Sequence, residues 1–164
     1  KKALENYVKN GGSLVGIHGA GDNSHHWPWY VENLTGAEFS HHSLKMPFET
    51  TSILVDSQAD SVFVSGINKD WKRADEWYVF LENPRQKGFD ILYTINGESI
   101  DPTANIPLIA PNKNFGMGKD HPVAWHKNTG RGKTFYTSMG HDETAWKDKN
   151  FMKLIENGIK WAAK

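Results

Sequence analysis

Eight histidines, nineteen Asp and Glu residues and no cysteine make up the reactive side chains of this 164-residue chain. Without a thiol there is no thiolate nucleophile, no disulfide and no Cys-bound zinc, so any chemistry runs through imidazole, carboxylate, hydroxyl or a metal that these hold. His18 stands out by position. It ends the apolar run Leu14-Val15-Gly16-Ile17 and precedes Gly19-Ala20-Gly21. That pattern is a strand turning sharply above a sheet, where many α/β enzymes expose a nucleophile. The small residues leave room for a ligand; the plainer alternative is a histidine that only bonds its own loop. His141 ends a second candidate strand, and Asp142 and Glu143 follow it. A carboxylate two residues on can fold back to orient the imidazole and raise its basicity. The competing reading has Asp142 cap a helical turn, with His141 incidental. Either histidine suits an acid/base catalyst or a metal ligand, and the sequence alone does not choose.

Other candidates carry weaker signals. His25-His26 and His41-His42 frame the stretch "WPWY". Neighbouring residues seldom face one ion, so at most one of each pair is a ligand for zinc or another borderline metal. His121 precedes a stiffening proline and sits beside Asp120, which suits a ligand and its carboxylate partner. His126 alternates with Ala124 and reads as a satisfied sheet histidine. Seven tryptophans are many for this length, and Trp27, Trp29, Trp71, Trp77, Trp125 and Trp146 fall in loops or at strand ends. Indole faces suit sugar rings while nearby Asp, Asn and Arg bond the hydroxyls, so Trp27, Trp29, Trp77 and Asp22 are sugar-binding candidates; core packing explains about half of the indoles. Asp75 and Glu76, just before a strand, are either acid/base groups or simply solvated.

The elements that position these residues follow from periodicity. "KKALENYVKNGG" reads as the last turns of an amphipathic helix ending in a left-handed cap, and it leads into the strand before His18. "FETTSILVD", "SVFVSGI", "EWYVFL" and "FDILYTI" read as strands. "PVAWHKNTGRGKTFYTSMGHDE" reads as a hairpin turning at "NTGRG". A closing helix from about Asn150 keeps a stripe of Phe151, Leu154, Ile155, Ile159 and Ala162. Two long stretches, from Gly19 to Pro47 and from Gly97 to Lys119, read as loops, the second a candidate lid. A helix feeding a buried strand is half of a parallel α/β unit, so upstream strands are expected beyond the first residue. Residues 1–164 form one expected domain.

Composition narrows the partners. Lys+Arg and Asp+Glu both number 19, giving zero formal charge. No broad field is then available for nucleic acid or an anionic membrane. No apolar run is long enough to span a bilayer, so the chain reads as soluble.

Several blocks taken together, "GGSLVGIHGAGD", "WPWY", "LTGAEFSHH", "DEWYVFLENPR", "GKDHPVAWHKNTGRGKTFYTSMGHDETAW" and "FMKLIENGIKWA", resemble the trehalose-utilisation, or ThuA-like, family over nearly the whole chain. The resemblance implies an α/β, flavodoxin-like three-layer sandwich of the class I glutamine amidotransferase type, here lacking its first strand or strands. It places the amidotransferase nucleophile at His18 and the late His-x-Glu at His141 and Glu143. Imidazole in place of the thiol removes glutamine hydrolysis through a thioester. What the resemblance implies instead is bacterial sugar catabolism, on a disaccharide or glycoside or its 3-keto derivative. His18, His141 and Glu143 would be catalytic; Asp22, Trp27, Trp29, Glu76, Trp77, Asp120 and His121 would hold substrate; His18, His121 and His141 would ligate a divalent zinc, manganese or nickel ion. A non-catalytic carbohydrate-binding domain on the same scaffold is the alternative. A sugar-sized ligand is the implied partner, homo-oligomerisation is open, and periplasmic, secreted and cytoplasmic locations are all compatible.

Overall fold

A computed structural model describes residues 1–101 and 117–164. The opening helix α1 (Lys2–Lys9) ends at Asn10, and Gly11 takes the left-handed φ of +108° that turns the chain into β1 (Ser13–Ile17). The stretch after His18 is more ordered than the loop its composition suggests. It holds a 3₁₀ turn (His18–Ser24), the short helix α2 (Pro28–Tyr30) continued by a wide helical turn (Val31–Thr35), and strand β2 (Phe39–His42). Next come β3 (Thr50–Ser52), β4 (Leu54–Val55), helix α3 (Ser61–Val64), β5 (Lys72–Ala74), β6 (Tyr78–Phe80) and β7 (Asp90–Ile95). The hairpin β8 (His121–Thr129) and β9 (Gly132–Thr137) is followed by α4 (Lys149–Ala162).

"SVFVSGI" is not a strand. Asp60 accepts a hydrogen bond from the Val62 amide and caps α3, and Phe63 is driven into the core, so a capped turn overrides the β-branched composition. The proline-rich centre of the candidate lid, with Pro102, Pro107 and Pro111, lies outside the described residues.

The main sheet has the order β1-β9-β8-β7-β4. Only β1 and β9 run parallel; the other neighbours are antiparallel, so the architecture is α/β with a mixed sheet. Two further pairs, β2-β6 and β3-β5, stand apart from it. Both faces of the sheet are covered. On one, α3 and α4 bury Phe63, Phe151, Leu154 and Ile155 against Val123 and Phe135. On the other, Tyr30, Leu34, Phe39 and Phe80 close over Trp125 and Tyr136, which face each other across β8 and β9. Alternation along the strands thus feeds two cores and fixes the register, since a one-residue slip would exchange them. Among the described residues no helix is long and apolar enough to cross a membrane.

Candidate active site

The parallel β1-β9 pair sets the ends of both strands on the same edge of the sheet, and His18 and His141 follow those ends. His18 has φ +42°, a left-handed conformation that costs a side-chain-bearing residue energy and persists only when its surroundings hold it. Two contacts do so. The Tyr136 hydroxyl donates to the His18 carbonyl at 2.9 Å, and His18 Nδ1 donates to the Ser138 carbonyl at 2.7 Å. His141 follows Gly140, whose φ is +115° and where a Cβ would meet the Phe151 ring at 2.8 Å; only glycine fits this turn.

The third member comes from the other side. Glu76, just before β6, brings Oε2 to 3.1 Å from His18 Nε2 and 3.0 Å from His141 Nδ1, and those two nitrogens are 3.1 Å apart. A buried carboxylate, Asp75, fixes this meeting. It accepts from the amides of Gly140 (2.8 Å), His141 (3.1 Å) and Glu76 (2.9 Å), and pairs with Arg73 at 2.9 Å. One side chain therefore holds both the Glu76 and the His141 backbone. The Tyr78 ring lies against His18 with centroids 4.2 Å apart, and Phe48 meets His141 edge-on at 5.1 Å. His18 and Glu76 are buried, whereas the His141 side chain is 40% exposed and forms the solvent side of the trio.

Proton bookkeeping sets what the trio can do. Because Nδ1 of His18 carries the hydrogen given to Ser138, Nε2 of a neutral His18 presents a lone pair to the carboxylate and to His141. Three acceptor atoms at these distances require a proton or a cation between them. A hydrogen on His141 Nδ1, donated to His18 Nε2 beside the carboxylate, satisfies the group and leaves His141 Nε2 basic, and a protonated His18 that donates Nε2–H to Glu76 satisfies it too. A divalent ion bound by the same three atoms satisfies it as well, and the backbone-fixed tautomer of His18 is the usual support for a metal-binding imidazole.

The other sequence candidates fall elsewhere. Glu143 is 81% exposed at the side chain and pairs with Lys147 at 3.1 Å; the turn capped by Asp142, which bonds Thr144, points it outward. His121 is buried and donates Nε2–H to the Tyr78 carbonyl, and it is not in the His18, Glu76, His141 group. Asp120 is bound to Arg85 and Asn83, and the Arg85 guanidinium holds its carboxyl below the usual range. Trp77 is buried and donates to the Glu49 carbonyl. Trp27 stacks on Tyr30 and donates to Glu5, and Trp29 packs beside it. Asp22 pairs with His25 on the surface and lines a cleft of about 490 Å³ with Trp27 and Lys1.

Residues 1–162 match the profile of the ThuA, trehalose utilisation, family. Among solved structures, a ThuA-like protein from Bacteroides uniformis is 27% identical with a TM-score of 0.72, covering 98% of this chain and 62% of its own. A ThuA-like protein from Parabacteroides merdae is 20% identical with a TM-score of 0.70, over 99% of this chain and 64% of its own. This chain therefore spans less than two thirds of either relative. A β-galactosidase from Rahnella sp. R3, 12% identical with a TM-score of 0.57, shares the fold over 98% of this chain and 20% of that enzyme. A comparison with curated proteins finds no match.

Proposed function

This chain belongs to the trehalose-utilisation (ThuA) family, which implies a role in sugar metabolism, and from that premise we propose an enzyme that acts on a 3-keto glycoside by imidazole acid–base chemistry. The observation that carries the reading is the pairing of His141 Nδ1 with Glu76 Oε2 at 3.0 Å, with the imidazole on the solvent side. A carboxylate behind one imidazole nitrogen fixes the tautomer and stabilises the cation formed when the other nitrogen takes a proton.

In a 3-keto sugar the carbonyl acidifies the C2–H. His141 Nε2 takes that proton, and the C–H electrons move onto the carbonyl oxygen as an enolate. Collapse of the enolate forms the C1–C2 double bond and breaks the C1–O bond to the leaving group. The imidazolium returns its proton to the departing oxygen, so the products are an unsaturated ketone and the free alcohol. This route avoids the oxocarbenium ion of ordinary glycosidases. A zinc, manganese or nickel ion held by His18, Glu76 and His141 Nδ1 would instead take the place of the shared proton and supply Lewis-acid polarisation of the ketone, and His141 Nε2 would then carry the hydrogen and leave the base role to another group.

The same reading takes the mixed sheet as part of a flavodoxin-like three-layer sandwich; the support is the parallel β1-β9 pair, the two covered faces and the strained residue at the end of β1. The test is turnover of a 3-keto glycoside by the wild type, His141→Ala and Glu76→Gln, with metal content measured on the same samples. The expected result is a loss of about 10²- to 10⁴-fold in both variants at unchanged melting temperature. Equal rates in all three would remove the reading.

A further inference from the structure

Glu76 has a second oxygen, and the group that meets it lies on a distorted strand. His42 Nδ1 is 3.2 Å from Glu76 Oε1 and 3.0 Å from the Ser43 carbonyl oxygen. Nδ1 carries the hydrogen that it donates to the Ser43 carbonyl, and Glu76 Oε1 lies beside that N–H as an ion-pair contact. The ring is held on Tyr78, with centroids 5.8 Å apart and planes 20° from parallel, and against Phe39 at 6.2 Å.

How His42 comes to face this way is a matter of register. Strand β2 runs antiparallel to β6 with Phe39 opposite Phe80, His41 opposite Val79 and His42 opposite Tyr78. Three steps along β2 thus match two along β6, and the extra residue is a bulge between Phe39 and His41. In an unbroken ladder residues three apart point to opposite faces, so Phe39 and His42 could not share one. Without the bulge His41 would stand opposite Tyr78 and His42 would turn away from Glu76. Bulges beside active sites commonly re-aim a side chain in this manner.

We propose that His42 is a positioning residue: anchored on the Ser43 carbonyl, its Nδ1 edge 3.2 Å from Glu76 Oε1 holds that oxygen by charge attraction, so that Oε2 alone is turned to His18 and His141. The inference rests on Glu76 being the working partner of His141. Holding a catalytic carboxylate from its far oxygen sets the rotation of the carboxyl group, and rotation decides whether Oε2 stays 3.0 Å from His141 Nδ1. A shift of about 1 Å at a reacting group costs up to about 100-fold in rate.

The experiment compares His42→Ala and His42→Asn with the wild type in turnover of a 3-keto glycoside and in crystal structures. Asparagine keeps an N–H donor near the position of Nδ1; alanine keeps none. For His42→Ala we expect kcat to fall about 10- to 100-fold at unchanged KM, with Oε2 of Glu76 swung out of hydrogen-bond range of His141. For His42→Asn we expect most of the rate and the wild-type position of Glu76. An unmoved Glu76 in His42→Ala, or a His42→Asn variant as impaired as His42→Ala, overturns the proposal. A wild type without turnover defeats the acid–base reading, and the position of Glu76 in the two crystal structures then decides the role of His42.

Discussion

His121 shows what a single buried imidazole contributes. It is 1% exposed, donates one N–H to the Tyr78 carbonyl, and has no partner for Nδ1 among the described residues. Burial pushes its pKa down to about 4 from the ordinary 6.5. The folded protein therefore keeps it neutral where the unfolded chain is already protonated. Its contribution to stability is complete above pH 6.5 and is lost as the pH falls from 6.5 to about 4, an effect of about 3 kcal/mol. His126, also lowered by burial, adds loss in the same direction. Urea unfolding from pH 7 to pH 4 should show this acid limb, and His121→Asn, which does not titrate, should flatten it; an unchanged slope would contradict the assignment. At this scale the sequence was informative about types and blind to meetings. His18 and His141 were legible because strand ends and small residues mark them. Glu76 could be named as an acid/base or substrate-binding candidate but not as the partner of His141, because its approach to His141 depends on Asp75 clamping two distant backbones. Glu143, two residues from His141, looked nearer to it than Glu76 did, but a capped turn sends it to solvent.

Among the elements, α4 depends most visibly on one residue. Asp148 caps it by accepting from the Asn150 amide at 2.8 Å, and its other oxygen accepts from Trp71 Nε1 at 2.8 Å. Arg73 reaches the same oxygen at 3.4 Å while holding Asp75, so this carboxylate ties α4 to the clamp beneath the site. Asp148→Ala removes the cap and strands a buried indole N–H, at a cost of about 2–4 kcal/mol in denaturant unfolding. A loss under about 0.5 kcal/mol would show the cap to be incidental. The amphipathic stripe of α4 apart from Ile159, which faces solvent, the hairpin β8-β9 and the strands β6 and β7 could be read from periodicity, since packing and local propensity agree there. Strand β2 could not. Its four residues, Phe39–His42, are broken by the bulge that brings His42 round, so neither period-2 alternation nor spacing marks it.

At the level of the whole molecule, two cores on either side of one mixed sheet hold the trio's supports rigid. Tyr136 belongs to the core on one face and bonds the His18 carbonyl; Phe151 belongs to the other and closes against Gly140. Rigid support matters because acid–base catalysis needs the carboxylate and imidazole held before substrate arrives. The proposed reaction at this edge of the sheet is removal of a proton from the carbon next to a ketone. Exchange of the C2 hydrogen of a 3-keto glycoside in D₂O, followed by NMR with wild type and Glu76→Gln, tests it most directly. The account predicts rapid deuterium incorporation with the wild type, slowed by about 10²-fold or more in Glu76→Gln. Exchange at the uncatalysed rate with the wild type, or equal exchange in both proteins, would contradict it.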